Sequence, residues 1–395
     1  MSGRISSSSG RRRVVAVVAS VAAALLGAGV AGSASAHELG AFGQVTKNLT
    51  YSCTFPLVGP QDVTGKVAIT LPDSGTAGQR IAPGDLNISV TLQDNIVGAL
   101  RAFGTAYAQG TGAADVDANY DGKQLTLGIP GLNIARADIP PSGPLTTTIS
   151  GPMPNLVVYK AGTITLRAGQ QFNAKVDTRK ADGTPTPLGI LDVPCTIKTT
   201  DPPQDTLFAN IPVSGPSTAE SVVRPLGDVN KNLTYTCTFP QIGNQQIQGN
   251  VKATIPDTVA VGQRAQISNL VIGAQFNPAT ANLLRSNQAA TVEGRAYADV
   301  DATLDTTRIT IGIPGSIPQT PVPPTDPASG SITPDVPSLI FYQAGTLDVA
   351  AGQQLNGTVT PRKSDGTATA LGTFALPCTV DPGQDQHIAT VPITA

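Results

Sequence analysis

The chain has 395 residues, 25 basic against 27 acidic, with 41 glycines, 33 prolines, two histidines and no tryptophan. A formal charge of −2 gives no electrostatic footprint for nucleic acid or anionic lipid. Proline at this density argues against long helices, and two histidines leave little for imidazole catalysis.

The first 36 residues read as a secretion signal. Arg4, Arg11, Arg12 and Arg13 form a basic start, residues 14–30 are apolar, and Ala34-Ser35-Ala36 fits a small-x-small cleavage site that leaves His37 first. Arg11-Arg12 keeps the twin-arginine export route open beside the general one. Removing this segment takes four arginines, leaving 21 basic residues against 27 acidic. No later stretch is apolar for long enough to span a bilayer. The expectation is a secreted protein, extracellular or loosely associated with the cell surface, without a transmembrane segment.

A duplication organises the rest. Lys47-Asn48-Leu49-Thr50-Tyr51-Ser52-Cys53-Thr54-Phe55-Pro56 returns as Lys231-Asn232-Leu233-Thr234-Tyr235-Thr236-Cys237-Thr238-Phe239-Pro240. Each copy ends on a second cysteine, in Pro194-Cys195-Thr196 and Pro377-Cys378-Thr379. The first cysteines are 184 residues apart and the second 183, so the whole unit was copied. This sets repeat 1 at 37–213, a linker at 214–227 and repeat 2 at 228–395, each long enough for its own core.

Thr, Val and Ile in short runs broken by Gly, Pro and Asp-Gly predict many strands. Residues 63–71 alternate apolar and polar, a half-buried strand. Gly78-Gln79-Arg80 answers Gly262-Gln263-Arg264, and Asp115-Val116-Asp117-Ala118 answers Asp299-Val300-Asp301-Ala302. The runs from Leu156 to Thr163 and Leu339 to Thr346 match, as do Ala168-Gly169-Gln170-Gln171 and Ala351-Gly352-Gln353-Gln354. A short helix is expected in each copy: Asn277 as cap with Pro278 first, and 94–102 with Asp94 as cap. Residues 134–154 and 316–337, rich in Pro, Ser and Thr, read as long surface loops. Tyr51 pairs with Tyr235, Tyr107 with Tyr297 and Tyr159 with Tyr342, all in strand-like runs that suggest core positions rather than ligand platforms.

Four cysteines behind an export signal read as two disulfides. Of three connectivities, Cys53 with Cys195 and Cys237 with Cys378 makes each copy complete. That leaves no thiol for catalysis or zinc. No G-x-S-x-G elbow is present, and His387 aligns with Leu207, so no catalytic residues are assigned and no cofactor is expected. His37 as a free N-terminus has the donors of a copper brace, but its one imidazole partner is the remote His387. Asp115, Asp117, Asn119 and Asp121 sit like the first ligands of a calcium loop, though position 12 is Gly128 where an acid is needed. Arg179 and Lys180, repeated as Arg362 and Lys363 beside Asp-Gly turns, are candidates for a binding face.

The N-L-T-Y-x-C-T-F-P start and P-C-T close resemble those of a group of actinobacterial secreted proteins that carry one or two copies of a domain of unknown function. The resemblance covers nearly all of the mature chain. It implies export and an immunoglobulin-like fold, and supplies no activity. The expectation is therefore all-β: two tandem immunoglobulin-like β-sandwiches, each with one short helix and one disulfide. Its expected role is a non-catalytic structural or adhesive module at the cell envelope or on an extracellular protein, the alternative being a polysaccharide- or calcium-dependent binder.

Overall fold

A computed structural model describes residues 42–216, 229–325 and 327–395. The expected secretion signal, His37 and most of the expected linker lie outside the described residues. Repeat 1 runs β1 (Phe42–Phe55), β2 (Gly59–Pro72), β3 (Gly75–Thr76), β4 (Arg80–Ile81), β5 (Leu86–Leu92), α1 (Asp94–Ala102), β6 (Tyr107–Tyr120) and β7 (Lys123–Asp138). It continues through β8 (Leu145–Gly151), β9 (Asn155–Val158), β10 (Gly162–Arg179), β11 (Pro185–Ile197) and β12 (Leu207–Ser214). Repeat 2 begins with β13 (Val229–Phe239), β14 (Gly243–Thr254), β15 (Val259–Ala260), β16 (Arg264–Ala265), β17 (Ser268–Phe276) and α2 (Pro278–Ser286). It ends with β18 (Thr291–Leu304), β19 (Thr307–Pro321), β20 (Ala328–Pro334), β21 (Ser338–Phe341), β22 (Gly345–Arg362), β23 (Phe374–Val380) and β24 (His387–Thr394).

Alternation drives the strands. In β2, Val63, Val67, Ile69 and Leu71 are buried while Thr64 and Lys66 are exposed, the period of a sheet with one dry face. The ladders then close. In repeat 1 the order β7-β8-β5-β2-β1-β11-β10 is completed by β6, which pairs with both β10 and β7. In repeat 2, β18 does the same between β22 and β19. Each repeat is thus an eight-stranded antiparallel barrel. This corrects the expected immunoglobulin-like sandwich, whose two sheets would leave open edges.

Closure needs strands that bend. The β10–β6 register shifts between Ala168 and Phe172, and β6–β7 shifts at Ala108/Gly110 and Gly112/Ala114. Gly110 is required there: a Cβ would lie 2.0 Å from the Lys175 carbonyl oxygen, and at its mirror Gly294 one would lie 2.1 Å from that of Thr358. The expected loops are also corrected. Their Thr and Ser runs form ladder strands, β8 in 134–154 and β20 in 316–337, their first residues continue β7 and β19, and the proline-rich stretches beside β8 and β20 are irregular.

Both expected helices are present. Asn277 accepts from the Thr280 backbone N at 2.9 Å, with Pro278 first. Gln93, not Asp94, holds the cap position of α1 and makes no side-chain cap bond; Asp94 is the first helical residue and pairs with Arg101 at 2.5 Å. Cys53 stands opposite Cys195 in the β1–β11 ladder and Cys237 opposite Cys378 in β13–β23, and both pairs are bonded. Among the described residues no helix is long and apolar enough to cross a membrane.

Candidate functional site

The repeats are not beads on a string: the described residues of both fall in one compact unit. The cause lies in β7 and β19, which are longer than the neighbours that should cover them. β8 covers β7 at Asn133 and Ile134, leaving the other half of that edge bare within repeat 1. Repeat 2 fills it: Ser338, Leu339, Ile340 and Phe341 of β21 pair with Gly128, Leu127, Thr126 and Leu125. The exchange is reciprocal. β20 covers β19 at Gly315 and Ser316, and Asn155 to Val158 of β9 pair with Gly312 to Ile309. An unpaired strand edge is a liability, and here each repeat removes the other's.

Each donated strand brings a clasp. β4 pairs with β9 and carries Arg80 to Asp299, with Nη2 to Oδ2 at 2.6 Å. β16 pairs with β21 and carries Arg264 to Asp115 at 2.7 Å. Both aspartates are buried, Asp299 at 7% exposure and Asp115 at 8%. Gln354 accepts from Arg80 at 3.0 Å, and Gln171 from Arg264 at 3.5 Å. Gly169 and Gly352 let the bulges approach, since a Cβ would lie 2.5 Å from the Asp115 Cβ and 2.4 Å from the Asp299 Cβ. So the mirrored Gly-Gln-Arg, Asp-Val-Asp and Ala-Gly-Gln-Gln blocks converge on one seam.

Tyrosines complete it. Tyr159 Oη meets Thr310 Oγ1 at 2.6 Å, and Tyr342 Oη meets Thr126 Oγ1 at 2.9 Å. Those threonines donate to Asp301 and Asp117. The halves differ in charge balance. Asp301 also receives Arg308 at 2.6 Å, whose guanidinium lies 4.2 Å from the Tyr159 ring centroid, whereas Gln124 holds the mirror position and Asp117 has no such contact. Burial accordingly pushes the Asp117 carboxyl above the usual range, against the Thr126 bond. Burial also pushes Asp299 up, outweighing Arg80. The Arg264 clasp is the better satisfied: its Nη1 donates to Ser338 at 2.7 Å, while Arg80 Nη1 and Asp299 Oδ1 have no partner. Tyr51 and Tyr235 are each raised by burial to about 12.

The sequence candidates fall as follows. Asp115 is held by Arg264 and Asp117 by Thr126; Asn119 is exposed on β6, and Asp121, in the β6–β7 turn, takes Lys160 at 3.2 Å and Thr307 at 3.2 Å. The three carboxylates are thus committed to other partners, and with Asn119 they are spread along a strand and its turn rather than gathered around one point. Among the described residues no group of three or more His, Cys, Asp or Glu could hold a metal. Arg179 pairs with Asp177 at 2.8 Å and Arg362 with Glu293 at 2.5 Å, each inside its own barrel. Lys180 and Lys363 cap the mirrored Asp-Gly turns. His387 opens β24, its Nε2 3.1 Å from Thr390 Oγ1. One tyrosine pairing is corrected: the ladders place Tyr107 opposite Arg179 where repeat 2 has Thr291 opposite Arg362, and Tyr297 opposite Asn356 where repeat 1 has Ala113 opposite Asn173.

The barrel interiors are packed. Repeat 1 keeps an apolar gap of about 110 Å³ among Leu49, Val67, Ile88, Ile149 and Phe172, enough for a small hydrocarbon.

Closed barrels, each stapled by a disulfide and joined through exchanged strands, define a tandem-repeat all-β protein of an oxidising compartment. The chain belongs to the Family of unknown function (DUF6801), which it matches twice, over residues 50–209 and 234–389. No curated protein matches it. One solved structure, described as "Putative membrane anchored protein" from Corynebacterium diphtheriae, is 12% identical over 89% of this chain and 97% of its own, with a TM-score of 0.26.

Proposed function

We propose that the protein is a secreted, non-catalytic structural or adhesive module, held at the cell envelope or against an extracellular protein and working without a cofactor. The reciprocal strand exchange supports this reading. Buried, charged side chains often mark active sites, and structural ion-pair networks perturb them too. Here Asp115, Asp299 and Asp301 face arginines, and two of those pairs fasten one repeat to the other. Their chemistry goes into fixing two barrels in a set relation, which suits a spacer or scaffold. Co-sedimentation of residues 37–395 with insoluble envelope fragments tests it. Saturable pelleting at micromolar protein is expected, and its absence with envelope and with extracellular protein extracts alike removes the reading.

A second reading, a polysaccharide binder, is favoured by a groove of about 450 Å³ on the outside of the second barrel. Tyr297 and Arg295 on β18 stand beside Asn356 and Thr358 on β22, and Pro377 and Thr379 continue the row on β23. An aromatic ring flanked by amides and hydroxyls is suited to a sugar's face and edge. Binding of neutral oligosaccharides on an array, lost in Tyr297→Ala, would favour this reading over the first.

A further inference from the structure

We propose that the seam is exchangeable between chains: the bare edges of β7 and β19 accept the donor strand of a second copy, so copies of this protein join repeat to repeat in trans. This does not rest on the envelope reading.

Three observations carry it. First, the donor elements are near-copies, Asn155-Leu156-Val157-Val158-Tyr159 and Ser338-Leu339-Ile340-Phe341-Tyr342, each adding a strand to a barrel that is already closed. Strand addition of this kind is a general recognition mode, with main-chain bonds supplying affinity and alternate side chains supplying choice. The choice here is made by Tyr159 and Tyr342 at Thr310 and Thr126, and by Arg80 and Arg264 at the two aspartates.

Second, no covalent bond crosses the seam. Cys53–Cys195 lies within repeat 1 and Cys237–Cys378 within repeat 2, so only the chain between 216 and 229 ties one repeat to the other. Opening the seam leaves both ring closures and both disulfides in place.

Third, a seam made between two chains repeats every contact of the seam within one chain. The two forms differ only in the tether. A short tether supplies an effective concentration of order millimolar, so dilute chains close on themselves. Chains crowded side by side exchange instead, the usual economy of swapped elements.

The test uses the full chain with a protease site set within 217–228, cut after folding. The cut halves are expected to co-elute as one species at micromolar concentration. When isotope-labelled and unlabelled cut protein are mixed, native mass spectrometry should show mixed-label pairs approaching the statistical ratio. Arg80→Met with Arg264→Met should speed mixing at least about tenfold, because contact losses act mainly on dissociation. Halves that part on the column show that the seam does not bind in trans, and the proposal fails. Halves that stay together yet never mix, even with both arginines replaced, show a seam that does not re-form between copies, and it fails equally.

Discussion

Replacing Arg80 with Met isolates the weaker clasp. The variant leaves the Asp299 carboxylate 7% exposed and without its cation. Removing one partner of a buried pair costs about 3–5 kcal/mol. Arg80 is itself 23% exposed, and Asp299 already has one oxygen without a partner, so the lower figure applies, about 3 kcal/mol. Unfolding entropy of about 2 cal/mol/K per residue gives roughly 0.7 kcal/mol/K for the unit spanning 39–395, so the melting point should fall by about 4 °C. The pH dependence is the sharper signature. Burial raises the folded Asp299 carboxyl above its unfolded value of 3.8. Its neutral form therefore suits the folded state, and the penalty is present above the raised range and fades as pH falls through it. Urea unfolding at neutral pH and near pH 4, on Arg80→Met, Asp299→Asn and the double variant, reads this directly. The double variant should be more stable than Arg80→Met at neutral pH, since no charge is stranded. A loss under about 0.5 kcal/mol, or one that does not shrink in acid, would refute the clasp as a buried ion pair.

Further outcomes follow from the same structure. Tyr51 and Tyr235 at about 12 lie above the unfolded value of 10, so their contribution is whole below pH 10 and lost as pH rises toward 12. Two units each correspond to roughly 3 kcal/mol per tyrosine, and phenolate absorbance should show both titrating together with alkaline unfolding rather than before it. Replacing Cys53 and Cys195 by Ser opens a loop closed over 142 residues and should cost about 5 kcal/mol by denaturant titration, on the chain-entropy account. Gly352→Ala would set a Cβ 2.4 Å from that of Asp299 and should cost at least about 2 kcal/mol; a thermal melt matching the parent would show that the β22 bulge yields freely.

Much of this was legible from the residues, and what was not has a physical cause. Alternation in 63–71 gave β2, and Asn277-Pro278 gave the start of α2, because both signals are local. Closure was invisible, because it depends on β6 pairing along both edges, and sequence period reports only which face is dry. The Thr and Ser runs in β8 and β20 read as loops because strands with a wet face carry little apolar content. Shifts in spacing between the copies misled the pairing of Tyr107 with Tyr297, which the ladders undo. The seam is the least legible feature of the sequence. Its blocks were in view, yet Asp115 and Asp117 looked like ligands because acids two residues apart satisfy a calcium pattern as well as a strand face. A usable signal exists: Arg80 and Arg264 close mirrored Gly-Gln-Arg blocks, and the mirrored Asp-Val-Asp blocks supply acids that a retained cation can meet.

Strand exchange also gives a reason for two copies on one chain. A barrel closed by β6 has no free edge where all eight strands are level, but β7 and β19 outrun their neighbours. Cutting them back to the span that β8 and β20 cover would remove Gly128 and Gly312, against which the clasp arginines pack, with Arg264 Nη1 2.5 Å and Arg80 Nη1 2.9 Å from where a Cβ would sit. The overhang and the clasp are thus one device: the strand that needs covering is also the floor on which the covering repeat is held. A single repeat would present an unpaired edge and an aspartate stripped of the arginine and strand that cover it. Duplication supplies the second repeat at high local concentration and meets both needs at once, so the pair of repeats rather than either barrel is the stable unit.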